Sequence, residues 1–333
     1  MSTPGPVPAA RAGQAPRSRS RSPITARQNE PAMLTLLRAY SWHYRLARRW
    51  HLVKILGTVV LAAAAPVVTF WFPAAADGVA AAAGAWVLAG RTVLALAEQS
   101  QIRAAVTMQE QFDVDLFGLP RNTSLAGPKA AAEDIADAAR HITDDSHLRD
   151  WYAPTGDAPW PLDVLLCQRS SAVWGRRAHY AYGITVATLG SAWFLAGIIM
   201  GLAAHLTLGG YLISLFLPSQ PAFLDTIELA RSHLRQSAGK QAIEQQADTL
   251  WEKGCRRPAS VTAADCRTIQ DQAYQLRRHG PRVAQCFYHL RRGRDQQAME
   301  AAASQLLDSS PPPPAGRRHP AERPGAGCPA AGR

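Results

Sequence analysis

The chain has 333 residues and a formal net charge of +11, from 36 Lys and Arg against 25 Asp and Glu. Charged residues make up 18% of it, where a soluble domain carries about 25%, while the apolar share of 47% is ordinary. Five cysteines in this length exclude a disulfide-stapled scaffold, and the apolar content excludes a wholly disordered chain.

Residues 1–30 are rich in Pro, Ala, Ser and Arg (PRSRSRSP) and read as a disordered basic tail. A lead-in helix follows, carrying Arg38, Arg45, Arg48, Arg49 and Lys54. From Ile55 to Ala76 no side chain is charged. Asp77 interrupts, and only Arg91 breaks the next apolar stretch before Glu98. A helix rises ~1.5 Å per residue, so a hydrocarbon core of ~30 Å takes about 20 apolar residues. Segments 55–72 and 74–96 each fit one crossing, with Arg91 near an end and snorkelling. The first apolar run begins beyond residue 50, which does not suit a secretory leader.

Residues 98–177 read as a helical region outside the membrane. Ile102, Ala105, Val106, Met108, Phe112 and Leu116 recur at helical spacing, so the second crossing continues as one long helix ending before Pro120. A helix over 128–142 and a turn at Asp144-Asp145-Ser146 follow. Pro154, Pro159 and Pro161 forbid a long helix there, and 162–177 feeds a third crossing. Residues 178–224 contain no Asp, Glu, Lys or Arg. They divide into crossings at 182–204 and 206–224, with His205, Thr207, Gly209 and Gly210 at the turn. Helices over 225–253, 263–278 and 282–307 fill the segment 225–308, and 309–333 is again low-complexity. The fold class is an all-α membrane protein: four transmembrane helices with a helical cytoplasmic region built from the central loop and the C-terminal segment.

The flanks of these segments alternate: basic, bare, basic, bare, basic. Positive charge marks the cytoplasmic side, so both termini and the central region face the cytoplasm of an inner (plasma) membrane. Trp71 and Phe72 sit at an outer boundary, and Tyr180 and Tyr182 at an inner one, where amphipathic rings settle. Anionic lipid accounts for the basic excess. No nucleic-acid recognition motif is present, so the expected partner is the bilayer and neither DNA nor RNA.

The words between the apolar segments are themselves distinctive. ARQNEPAMLTLLRAYSWHY precedes the first, QEQFDVDLFGLPRN follows the second, DWY and LCQRSSAVWGRRAHYAY lead into the third, and CRTIQDQAYQLRRHGP with FYHLRR closes the chain. Over about residues 24–307 this order resembles the bacterial SMODS-associated four-transmembrane (S-4TM) effectors, described as pore-forming. The resemblance implies a role in anti-phage defence. It also implies a cyclic oligonucleotide, made by a neighbouring nucleotidyltransferase, that switches the effector on, and membrane disruption as the outcome.

No P-loop, dinucleotide loop, HExxH or CxxC pair occurs, so no catalytic residue, cofactor or metal is expected. Cys167, Cys255, Cys266, Cys286 and Cys328 read as reduced cytoplasmic thiols. Gln109, Glu110 and Asp113 read as the polar face of a helix leaving the bilayer, with Phe112 and Leu116 packing inward; the position suits a gate or coupling element. Trp151, Tyr152, Gln168 and Arg169 are the ligand candidates: arginine pairs phosphate oxygens, aromatic rings stack on bases and an amide reads a base edge. Gly197 and Gly201 form a GxxxG in the third crossing, which suits close helix packing, either within the chain or between copies of a homo-oligomer. Two other classes fit the apolar segments, a small transporter or a membrane anchor that recruits a partner. Against the transporter, only Pro66 breaks a crossing near its middle and no charge lies at a centre.

Overall fold

The computed structural model describes residues 24 to 284 and Phe287, and every regular element among them is helical. The terminal tails, apart from residues 24–30, and the helix read over 282–307, apart from 282–284 and Phe287, lie outside the described residues, as do Cys286 and Cys328.

A short turn of helix, α1 (Ile24–Arg27), leads to α2 (Pro31–Trp71). Proline suits the first turn of α2 because its missing N–H has no partner there in any case. Forty-one residues of unbroken helix span ~60 Å, twice a hydrocarbon core. The chain turns through Pro73–Ala75 into α3 (Ala76–Ala89), a π-helical turn at Gly90–Leu94 and α4 (Ala95–Phe117), which runs back antiparallel to α2. Gly118 ends α4 with φ 65°, a left-handed cap that favours glycine.

Two short helices, α5 (Thr123–Ala126) and α6 (Ala132–Ala139), precede α7 (Leu162–Ala203). The turn after α7 places His205 at φ 51°, and Thr207 caps α8 (Leu208–Tyr211) by accepting from the Gly210 amide. A second π-helical turn, Leu212–Phe216, opens α9 (Leu217–Arg256), which packs along α7. The two approach closely where α7 has no side chain: a Cβ at Gly190 would lie 2.5 Å from Thr226 Cγ2. Then α10 (Ala263–His279) starts at a capping box, with Thr262 and Asp265 exchanging side-chain bonds with each other's backbone N–H.

Two ends can be distinguished. Up to about residue 47 on α2, and beyond about residue 101 on α4, one face of each helix is buried, in a main core and a smaller cluster of Ala47, Ile102, Val106, Ala126 and Tyr274. The main core is built on Leu37, Tyr40, Phe112, Leu116, Leu165 and Ile269, and Tyr152 and Trp251 complete it. At the other end the large apolar side chains point outward. Val60, Trp71, Leu88, Leu189, Ile199 and Ile213 are all exposed. Two stretches are long and apolar enough to cross a membrane, Asp77–Phe117 and Leu162–Ala203.

Several boundaries differ from the sequence reading. Residues 24–30, assigned to the tail, are folded: Ile24 and Gln28 are buried at 3% and 1% exposure. The helix read over 128–142 shrinks to Ala132–Ala139, because Lys129 and the Ala130 N–H turn back to α4, onto Asp115 and Gln111. The lead-in and the first apolar segment are one helix, as are the third apolar segment with its feeder and the fourth, from Leu217 on, with the helix after it. Neither π-helical turn is signalled by periodicity. Arg91, near the end of its apolar segment, forms an exposed ion pair with Asp225, at 2.9 Å.

Candidate functional site

The lower half of α4 presents Gln109, Glu110, Phe112 and Asp113. Here the sequence expectation needs correction. Glu110 and Asp113 do not form an outer polar face but are wholly buried beside Phe112, each at 0% exposure. Two ionised carboxylates in a core are costly unless paired, and α10 supplies the partners. Arg277 forms an ion pair with Asp113. Arg267 donates to Glu110 Oε1 at 2.7 Å. Gln270 lies between the two, its amide donating to Glu110 Oε2 at 2.9 Å and to Asp113 Oδ2 at 3.0 Å. Burial pushes the Glu110 carboxyl above its usual range, against the pull of Gln270 and Arg267. Burial also opposes the charge on Arg277, but Asp113 outweighs it and keeps the guanidinium firmly protonated.

The ligand candidates are divided by the fold. Tyr152 donates from its hydroxyl to Asp113 Oδ1 at 2.8 Å. Gln168, on α7, donates to Gln270 Oε1 at 3.2 Å and to the Cys266 carbonyl at 2.9 Å. These two therefore join the carboxylates in one network. Trp151 and Arg169 do not. Trp151 lies edge-on to Tyr40, with ring centroids 6.1 Å apart. Arg169 forms an ion pair with Asp248 of α9. Gln109 is peripheral, accepting from the Tyr44 hydroxyl at 2.6 Å. Gly197 and Gly201 face Tyr211 of the same chain, whose Cδ2 lies 2.7 Å from where a Gly201 Cβ would be. Cys167, Cys255 and Cys266 are free thiols.

Sequence reading missed Arg267, Gln270 and Arg277. It also missed Gln28, which clamps the segment carrying Tyr152. The Gln28 side chain accepts from the Tyr152 N–H at 2.8 Å and donates to the Tyr152 carbonyl at 3.2 Å. Beside it Asn29 donates to Asp150 Oδ1 and accepts from the Asp150 N–H, holding a residue with φ 51°. Gln28→Ala leaves two buried backbone groups unpaired and is expected to cost about 2–4 kcal/mol, against under about 1 for the exposed Asn29→Ala. Thermal unfolding of the two variants checks this; equal costs would remove the buried clamp from the account.

The described core thus joins elements from every part of the chain: the N-terminal segment, α4, the Tyr152 loop, α7, α9 and α10. The family model described as the SMODS-associating 4TM effector domain matches residues 22–306, a span that takes in all of these elements. The chain belongs to this family. A protein of Bacillus cereus (strain VD146), named "Probable CBASS effector molecule", is 23% identical over 285 residues, covering 82% of this chain and 94% of its own length. No solved structure matches. The S-4TM match spans both termini of the polar core, so Gln28 and Arg277 fall within it, while most of the two tails does not.

Proposed function

We propose that this S-4TM protein is a membrane-permeabilising effector of bacterial anti-phage defence, switched on by a cyclic oligonucleotide bound at its cytoplasmic core. Family membership and the relative's printed name support a defence effector. The observation that carries the mechanism is mechanical continuity. Helix α2 runs unbroken from an outward-apolar segment into the polar core, as does α7; α4 reaches it through one π-helical turn and α9 begins at another. Displacing α10 from Glu110 and Asp113 therefore acts on the lower end of the second crossing.

In this reading the four apolar segments, 55–72, 74–96, 182–204 and 206–224, lie in lipid, and both termini are cytoplasmic at the inner membrane. Four closely packed helices leave no lumen, so the pore forms between copies of a homo-oligomer. Gly197 and Gly201 are occupied by Tyr211, so the contact between copies uses the outward faces. The signal binds the open arrangement more tightly than the closed one, since only differential affinity shifts the population. No covalent step is involved.

Purified protein in liposomes loaded with a self-quenched dye tests this. Leakage is expected with a cyclic di- or trinucleotide and not without one. No nucleotide-dependent leakage across a panel, with orientation and insertion verified, sinks the reading. Counterflow of a solute without dye leakage would instead favour a transporter.

A further inference from the structure

Lys240 lies on α9 where it faces α7. Its stem crosses Gly175: a Cβ at that glycine would fall 2.6 Å from Cε and 2.7 Å from Nζ. Lys240 lines a small cleft with Tyr152, Gln168, Ser171, Gln270 and Arg277. Among the described residues Lys240 forms no hydrogen bond or ion pair. Its neighbours are matched: Arg277 by Asp113, Arg267 by Glu110 and Asp271, Arg169 by Asp248. Glu244, one helical turn from Lys240 and its natural partner, is turned to Arg176 of α7 at 2.6 Å.

A second cation deepens the imbalance. Arg282 uses one guanidinium nitrogen on the Arg277 carbonyl and sits over the Tyr44 ring, while its buried Nε has no partner. Burial, then Arg277 and Arg282, push the Lys240 ammonium down to about 7. Lys240 is half-buried, and an unpaired positive charge held between packed helices beside two other cations is disfavoured; an anion at this place would relieve it. The opposite wall is also incomplete: Gln168 Oε1 is buried and accepts nothing. Inorganic phosphate would leave that acceptor facing an anion. A nucleotide offers it a ribose hydroxyl or a base N–H as well.

We propose that Lys240 is the phosphate-binding cation of a nucleotide site between α7, α9 and α10, with Ser171 as a second donor to the phosphate and Gln168 Oε1 accepting from the ribose or base. This deepens the proposed function and rests on it, naming the group on which the signal's phosphate lands. The cleft has room for about one water molecule. A nucleotide enters only when α10 parts from α7 and α9, so binding and release of the Glu110 and Asp113 partners are one event.

The full-length protein in nanodiscs is titrated with 3′,5′-linked cyclic di- and trinucleotides, inorganic phosphate and anionic-lipid vesicles, as parent, Lys240→Gln and Lys240→Arg. The nucleotide that binds the parent is expected to bind Lys240→Gln at least tenfold more weakly, and Lys240→Arg within about threefold. Ligand-free Lys240→Gln is expected to melt no lower than the parent, since an unpaired, half-buried charge beside Arg277 and Arg282 has gone. Equal nucleotide affinity in parent and Lys240→Gln overturns the site, and if that variant still leaks dye on nucleotide addition the proposed function stands without it. Lys240-dependent binding of phosphate or lipid alone, or a parent that binds none of the panel, overturns the nucleotide site. A parent that neither binds nor leaks takes the proposed function down as well.

Discussion

Asp113→Ala is expected to destabilise the protein by about 3–5 kcal/mol, which is what removing one partner of a buried ion pair costs. Three donors converge on this carboxylate: the Tyr152 hydroxyl, the Gln270 amide and the Arg277 guanidinium. Its loss leaves the largely buried Arg277 without a counter-charge, the Tyr152 hydroxyl without an acceptor and the Gln270 amide with Glu110 alone. At roughly 2–4 °C per kcal/mol for a domain of this size, the melting temperature falls by roughly 10 °C. Arg277→Gln alone is expected to cost a similar amount, but far less in an Asp113→Asn background, because the two groups act as one unit. Glu228→Gln is the control. Its pair with Arg235 is 3.9 Å long with both side chains about two-thirds exposed, and such pairs contribute under about 1 kcal/mol. A melting temperature for Asp113→Ala within 2 °C of the parent would show that the pair does not hold α10 to α4.

In the proposed function, the pair that holds α10 also sets how firmly the closed arrangement is favoured. On that proposal, weakening it without unfolding the chain makes the closed-to-open step cheaper. Glu110 is the gentler place to do so: Gln270 and Arg267 each make one bond to it, and its charge is already disfavoured by burial. On that proposal the two carboxylates divide the labour, with Asp113 holding the helix and Glu110 adjusting the hold.

How much of this was legible in the sequence depends on whether a feature is local. A missing charge is local, so the four apolar segments stood out from Ile55 to Leu224 without any structure. The helical spacing of Ile102, Val106, Phe112 and Leu116 was local too, and placed the core face of α4. The direction of Glu110 and Asp113 was not. They sit within a turn of Phe112, and a polar side chain at the edge of an apolar stripe belongs outside unless something covers it. What covers them lies 157 to 164 positions further on, and no spacing rule reaches that far. One signal was available on α10 itself. Cys266, Gln270, Ala273 and Arg277 follow the i, i+4, i+7, i+11 stripe on which Cys266 and Gln270 are buried. A glutamine and an arginine on the core stripe of a helix announce a buried polar partner elsewhere. Gln28 went unread even though the word ARQN belongs to the resemblance, because a glutamine hydrogen-bonded to a distant backbone leaves no local pattern.

Gly57→Leu is expected to have the largest effect among substitutions in the apolar segments. A Cβ at Gly57 would lie 2.0 Å from Trp86 Cζ2, well inside any real contact, and Trp86 further ties the two helices by donating from its indole to Thr58 Oγ1 at 3.3 Å. The ring of α3 is thus a knob seated on a bare stretch of α2. In lipid, helices gain nothing by hiding apolar surface from water, and close packing is what holds them together. Overpacking costs about 1–3 kcal/mol where neighbours can shift, and here the obstacle is a rigid indole rather than a flexible chain. Trp86→Ala alone removes the knob and leaves a void, at about 3–5 kcal/mol. The pair Gly57→Leu with Trp86→Ala puts the volume back from the other side, so the double variant is expected to be more stable than either single one. Thermal unfolding in nanodiscs reads all three. Because this contact fixes α3, and the chain passes from α3 through the π-helical turn into α4, a loosened Gly57→Leu protein is also expected to leak dye without any nucleotide. The double variant should be quiet again. Costs that simply add would mean the two residues do not meet in the membrane, and would take the packing of the first two segments with them.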